Sequence, residues 1–142
     1  MPIIQGIKRI NPLDLNKNVT IGVAFPLDET NLFNGTETIR EQVKSNLINL
    51  LLTQPGERVF LPKYGVGLKY LLFEQQINLE VLEEKIRTQV TRYIPQIEIT
   101  ELSTGLSEDQ HTVFINISYR FFTDNNTDSI QLNFNKWLII KY

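Results

Sequence analysis

The 142-residue sequence contains no cysteine and only one histidine. The absence of cysteine excludes disulfides, thiolate zinc sites, iron–sulfur clusters and a cysteine nucleophile, and a single histidine excludes metal sites built from several imidazoles. Fourteen basic and 16 acidic side chains give a formal net charge of -2, so the chain offers no basic field for a nucleic-acid backbone. No segment approaches the ~20 apolar residues of a membrane span. We therefore expect no metal, cofactor, nucleic-acid or membrane partner.

A hydrophobic share of 42% indicates a folded globular chain. Its length suits one domain, and no linker, repeat or low-complexity tract divides it. The sequence thus predicts a single domain over residues 1–142. Residues 1–35 are interpreted as an extended N-terminal segment that packs on this domain or on a neighbouring protein.

Apolar residues recur at helical spacing in two segments. Thr36 or Thr38 can cap the start of the first helix, and Thr38 with Glu41 has the spacing of a capping box. Gln54-Pro55-Gly56 ends this helix. The second helix begins after Asn78 and ends before Pro95. The apolar faces are formed by Ile39, Val43, Leu47, Leu50 and Leu51, and by Leu79, Leu82, Ile86, Val90 and Tyr93.

Apolar and polar residues alternate after the second helix, which predicts strands. The alternation covers Ile97–Thr100, then residues 113–121 and residues 130–134, with a turn at 124–128 that makes the last two a hairpin. The predicted fold is α+β: a small antiparallel sheet with a β-hairpin, covered on one face by two long amphipathic helices. The apolar run 137–140 must be covered by the domain itself or by a partner.

Few side chains suggest catalysis. Ser107, Asp109 and His111 have the residue types of a triad, but within one turn they cannot adopt its geometry. Glu57 and Glu74 are the acids at the loop and turn between the helices. Nothing in the sequence places them at the ~5–9.5 Å separation that glycoside hydrolysis requires. We therefore predict that the protein is not an enzyme.

The segment between the two helices carries several motifs in a fixed order. Its loop, residues 57–67, contains two glycines, one proline and three large apolar residues, which predicts a loop tied to the core. The motifs are Thr53-Gln54-Pro55-Gly56-Glu57-Arg58, then Pro62 and Gly65, then the helix end Leu71-Leu72-Phe73-Glu74.

This order resembles the contractile-tail phage baseplate wedge family. Its members are sheath-initiator proteins, also called lysozyme-like wedge proteins, and are related to a baseplate component of type VI secretion systems. In that family a helix runs into a Thr-x-x-Gly-Glu/Ser-Arg turn, a Pro-x-x-Gly step and a Leu-Phe-Glu helix end. A second helix and a β-hairpin follow. The resemblance covers about residues 36–134.

Two positions depart from the family pattern. The family's Pro-Asp-Phe-Gly step reads Pro62-Lys63-Tyr64-Gly65 in this chain. The second helix of many members ends in a Glu-Pro-Arg triplet that docks the baseplate core bundle. This chain has Ile94-Pro95-Gln96 instead, so we expect an apolar contact through Ile94 in place of a charge-assisted one.

The resemblance implies a structural role in a virion. The protein would link the baseplate wedge core to the tail sheath and initiate sheath assembly by strand addition, after synthesis in the host cytoplasm. The implied partners are other wedge proteins, the tail sheath protein and tail-tube or hub-proximal proteins, in a six-fold assembly of several copies. Strand addition requires an unpaired strand edge. Residues 113–122 and 130–140 are the candidates, with Ser129–Ile140 suited to pairing in trans.

Two alternatives stay open at this stage. One is a peptidoglycan hydrolase carried on the baseplate, with Glu57 and Glu74 as its acids. The other is the equivalent baseplate protein of a type VI secretion system or tail-like particle. The missing Glu-Pro-Arg triplet, which we associate with the secretion homologues, favours a phage.

Overall fold

The computed structural model describes residues 11–15, 18–25, 34–71, 73, 76–108 and 111–135. Two short strands, β1 (Gly22–Val23) and β2 (Gly35–Thr36), pair antiparallel. A larger antiparallel sheet has the order β3-β4-β5. The remaining elements, in chain order, are a 3-10 turn (Pro12–Leu15), helices α1 (Ile39–Leu52), α2 (Leu68–Leu71) and α3 (Leu79–Tyr93), and strands β3 (Ile97–Leu106), β4 (Thr112–Phe121) and β5 (Thr127–Asn135). The predicted α+β class is confirmed.

Helix α1 begins with the predicted capping box. Thr38 Oγ1 accepts a hydrogen bond from the Glu41 amide, and the Glu41 carboxylate accepts one from the Thr38 amide. Asp14 also accepts a hydrogen bond from the Ile39 amide at 2.8 Å, so a carboxylate lies where the helix dipole favours negative charge. A second contact, from the Phe25 amide to Ser45 Oγ, joins the segment 18–25 to the same helix.

Helix α3 begins at the predicted N-cap, where Asn78 Oδ1 accepts hydrogen bonds from two backbone amides of the first turn. Both long helices bury their apolar stripes in one core with a single face of the sheet. The alternating side chains of β4 and β5 predicted to be apolar are buried there: Val113, Ile115, Ile117, Tyr119, Phe121, Ile130, Leu132 and Phe134.

Strand β3 extends to Leu106, six residues beyond the predicted alternation. Its register with β4 shifts between Ile99 and Glu101, which leaves Thr100 as an extra residue in a β-bulge. Because a bulge changes which residues face the core, Ile97 and Leu102 are both buried although they do not share a period of two.

Candidate functional site

The loop between α1 and α2, residues 53–67, folds back onto the end of α1. Val66 donates a backbone hydrogen bond to the Leu50 carbonyl at 3.0 Å, and Gly67 donates one to the Thr53 carbonyl at 2.9 Å. Thr53 is buried, and its hydroxyl donates to the Asn49 carbonyl at 2.7 Å. The Leu50 and Thr53 carbonyls are among the groups that the end of a helix otherwise leaves unpaired.

The Thr-Gln-Pro-Gly-Glu-Arg motif forms the turn at the start of this loop. The Glu57 carboxylate accepts a hydrogen bond from the Gln54 amide at 3.0 Å, and Gly56 donates one to the Pro62 carbonyl at 2.8 Å. Gly56 has the positive φ that the sequence predicts, +93°, but it lies in the turn beyond the C-cap Thr53 and not directly after the helix. Glu57 is therefore bonded within its own turn.

Gly65 lies where the loop passes closest to α1. Its φ is +113°, and a Cβ atom at this position would lie 2.1 Å from the Thr53 carbonyl oxygen. Its amide donates to Gln89 Oε1 at 2.9 Å, and Gln89 Nε2 donates to the Lys63 carbonyl at 3.0 Å. One amide side chain of α3 thus holds the loop backbone on both sides of Tyr64.

Aromatic and cationic groups stack along the same loop. The Arg58 guanidinium carbon lies 4.0 Å from the centre of the Tyr64 ring, within the range of a cation–π contact. Tyr64 packs edge-on against Tyr93 of α3, with ring centres 5.0 Å apart. Burial raises the pKa of Tyr64, and the nearby Arg58 charge opposes part of that effect. The Arg58 side chain thus stacks on the loop's own tyrosine.

Three apolar residues in the middle of this loop, Val59, Phe60 and Leu61, are exposed; we call them the apolar tip. Phe60 is 95% exposed and Val59 87%. The expectation that the large apolar residues tie the loop to the core is wrong for these three. Backbone hydrogen bonds and the buried side chains of Tyr64 and Val66 hold the loop instead.

The end of α3 departs from expectation. Ile94 is only 3% exposed because it completes the buried stripe of the helix, so its side chain is not available for the expected apolar contact with a partner. Pro95 and Gln96 are exposed beside it. Pro95 also lines a groove of about 430 Å³, together with Arg87, Thr91, Ile99, Phe122 and others.

The outer edge of β5 is the second feature of interest. Phe121 donates a backbone hydrogen bond to the Asn126 carbonyl, which shows which facing residues of β4 and β5 form hydrogen-bonded pairs. By antiparallel geometry the amides of Ser129, Gln131 and Asn133 then point away from β4. The Asp128 carboxylate accepts a hydrogen bond from the Ser129 amide at 2.8 Å. Within the described residues, no strand pairs with this edge at Gln131 and Asn133.

Two of the candidate catalytic residues, Ser107 and His111, lie in the connection between β3 and β4. Ser107 Oγ accepts a hydrogen bond from the Thr112 amide at 3.0 Å, and His111 is exposed. Asp109, Glu74 and the apolar run 137–140 lie outside the described residues. Phe73, which precedes Glu74, is exposed.

The described ranges contain no group of three or more His, Cys, Asp or Glu side chains that could hold a metal ion. No helix among them is long and apolar enough to cross a bilayer.

These observations define a small α+β domain whose described part combines a helix-bound loop with an open strand edge. The chain belongs to the family of baseplate wedge protein gp25, whose model matches residues 37–126. The family inferred from the loop motifs is confirmed, and the protein is a baseplate component. No curated protein matches the chain significantly.

Two solved structures resemble this one. A candidate tail lysozyme from Geobacter sulfurreducens superposes with a TM-score of 0.60 at 24% identity, over 69% of this chain and 91% of that one. A chain of the anti-feeding prophage baseplate gives a TM-score of 0.48 at 18% identity, over 80% and 83%. The Geobacter likeness shows a shared fold.

Proposed function

We propose that this protein is a structural component of a contractile-tail phage baseplate wedge, which links the wedge core to the tail sheath and initiates sheath assembly by strand addition. Its partners are other wedge proteins and the sheath protein, in several copies around a six-fold particle. Family membership supports the baseplate location, and the outer edge of β5 is the observation that carries the sheath-initiating role.

The edge offers backbone groups in the arrangement that an incoming strand needs. The amides and carbonyls of Gln131 and Asn133 face outward, while Ile130 and Leu132, which alternate with them, are buried in the core. Four ladder bonds at about 0.5–1.5 kcal/mol each would contribute about 2–6 kcal/mol. These bonds would hold a sheath strand only weakly on one copy, but they are sufficient to hold the sheath when several copies around a ring act together.

The proposed contact with the wedge core is the apolar tip. The loop that carries the tip is held by hydrogen bonds within itself and to both long helices, so Phe60 would bind without a large cost in loop ordering. In this arrangement Thr53, Gly56 and Gly65 set the loop conformation, while Glu57 and Arg58 brace it. Exposed Pro95 and Gln96 beside the α3 groove would provide a second contact.

Two matched substitutions test the sheath-initiating edge in phage deleted for this gene. Gln131→Pro removes the outward amide while leaving the bonds to β4, because edge positions tolerate proline. Gln131→Ala keeps that amide. Negative-stain microscopy should show naked tail tubes with Gln131→Pro and normal sheathed tails with Gln131→Ala. Sheathed tails with a folded Gln131→Pro protein would contradict the proposal.

Co-purification with the wedge proteins tests the apolar tip. Phe60→Asp should abolish co-purification, because a charge would enter the apolar contact. Val81→Asp is the matched control, since Val81 is also exposed but lies on α3 away from the loop. Arg58→Ala should weaken the interaction without unfolding the domain. Equal binding by wild type and Phe60→Asp would assign the wedge contact to another surface.

The hydrolase alternative is tested by a cell-wall turbidity assay on the purified protein. Glu57 is bonded in its own turn, so the proposed function gives it a structural role. Clearing of cell walls that Glu57→Gln or Glu74→Gln abolishes would replace the structural proposal. The preference for a phage over a secretion system rests on the Ile94-Pro95-Gln96 sequence.

A further inference from the structure

We infer that Glu83 of α3 closes the outer edge of β3, so that a strand can be added only at β5. This inference rests on the strand-addition function proposed above. Glu83 Oε1 accepts two hydrogen bonds from Thr104 of β3, one from its amide at 3.2 Å and one from its hydroxyl at 2.7 Å. A side chain of another element therefore occupies this strand edge near the C-terminal end of β3.

The register shows that the amide is an edge group. Ser107 donates a backbone hydrogen bond to the Thr112 carbonyl, which makes 107 and 112 a hydrogen-bonded pair. Gly105 and Ser103 then point their amides toward β4, and Thr104 points its amide away from β4. Glu83 thus satisfies a donor that would otherwise be available to another strand.

The carboxylate does more than occupy one donor. A strand approaching β3 at this point would place its own carbonyl oxygens near the charged group, and it would have to break both bonds to Thr104. Charged side chains at a sheet edge are a recognised means of preventing unwanted pairing. Because loss of its partners would leave the part-buried carboxylate poorly solvated, displacement is unfavourable.

The two edges of the sheet are therefore unequal. On β5, the Ser129 amide is taken by the neighbouring Asp128. In the described ranges, no side chain from another element bonds to the amides of Gln131 and Asn133. The occupant that fits this asymmetry is a single extended segment of the sheath protein, added along β5 from Gln131 onward.

Photo-crosslinking distinguishes the two edges, since the natural chain has no cysteine to interfere. Ser103→Cys on β3 or Gln131→Cys on β5, both exposed positions, is labelled with a benzophenone maleimide. Each labelled full-length protein is mixed with the sheath protein of the same particle. The series is repeated with Glu83→Ala, with Glu83→Gln, which keeps the acceptor oxygen, and with Glu84→Ala as the matched control on the same helix.

With Glu83 intact, we expect crosslinking at Gln131→Cys and at least about tenfold less at Ser103→Cys, the factor typical of a lost charge-assisted hydrogen bond. Glu83→Ala should raise crosslinking at Ser103→Cys toward that at Gln131→Cys, while Glu84→Ala should leave the ratio unchanged. Glu83→Gln should retain most of the ratio. Circular dichroism checks that each variant is folded.

The remaining outcomes separate the inference from the proposed function. Two outcomes with crosslinking at Gln131→Cys would overturn the role of Glu83 alone. In one, Ser103→Cys crosslinks equally well while Glu83 is intact. In the other, Ser103→Cys stays unreactive after Glu83 is replaced. Crosslinking only at Ser103→Cys would overturn the choice of edge. Crosslinking at neither position in any variant would overturn strand addition itself.

Discussion

Replacing Gly65 by alanine tests whether the loop conformation depends on its close approach to α1. A Cβ atom would lie 2.1 Å from the Thr53 carbonyl oxygen and 2.7 Å from the carbonyl carbon. Both atoms belong to the backbone, so no side chain can rotate away to relieve the overlap. The loop must move, and the bonds from Gly65 to Gln89 and from Gly67 to Thr53 weaken with it.

The expected loss follows from these terms. A left-handed φ at a residue with a Cβ costs about 1–2 kcal/mol, and each of the two hydrogen bonds contributes about 0.5–1.5 kcal/mol. The Gly65→Ala protein should therefore lose about 2–5 kcal/mol of unfolding free energy. A domain of typical stability, about 5–15 kcal/mol, retains its fold after such a loss.

Gly56→Ala is the matched control. Gly56 also has a positive φ, of +93°, but a Cβ there would meet no atom within 4 Å. Gly56→Ala should therefore lose only the about 1–2 kcal/mol of unfolding free energy that a positive φ costs a residue with a Cβ atom. In urea unfolding followed by circular dichroism, Gly65→Ala should lower the midpoint by about 1–2 M and Gly56→Ala by less. Equal shifts for the two variants would refute the steric argument.

Three further predictions concern other contacts. Gln89→Ala removes two hydrogen bonds to the loop backbone and should cost about 1–3 kcal/mol in urea unfolding; a loss below about 0.5 kcal/mol would show that the loop does not need this tie. Asn78→Ala removes the N-cap of α3 and should cost about 1 kcal/mol, whereas Asn78→Ser should recover most of it. Burial raises the pKa of Tyr119 above its ordinary value of 10.0, so its neutral form is favoured in the folded state. The contribution of neutral Tyr119 to the unfolding free energy is complete below pH 10.0 and is lost as the pH rises above it. Tyr119→Phe should therefore reduce the fall in unfolding free energy with rising pH, measured by urea unfolding at alkaline pH.

The helices and the hairpin could be predicted because their determinants are local in sequence. Thr38 with Glu41, and Asn78 by itself, cap helices through atoms at most three residues away. The strict alternation of apolar and polar residues in β4 likewise arises because only one face of the strand packs against the core. In each case the chemistry that sets the structure lies within a few residues of it.

The remaining features depend on contacts between distant residues. Gln89 reaches the loop from 24 positions away, and Glu83 reaches Thr104 across 21. The exposure of the apolar tip could not be inferred from composition, since large apolar residues usually indicate burial. The bulge at Thr100 also hid the length of β3, because it shifts the alternation by one residue within a single strand.

The attachment of one loop to two helices has a mechanical consequence. Its backbone is bonded to Leu50 and Thr53 of α1 and its C-cap on one side, and to Gln89 of α3 on the other. A force applied at Phe60 is therefore shared between both helices, and neither can slide along the other without breaking the loop's bonds. The two helices would thus move together when a partner pulls on the apolar tip.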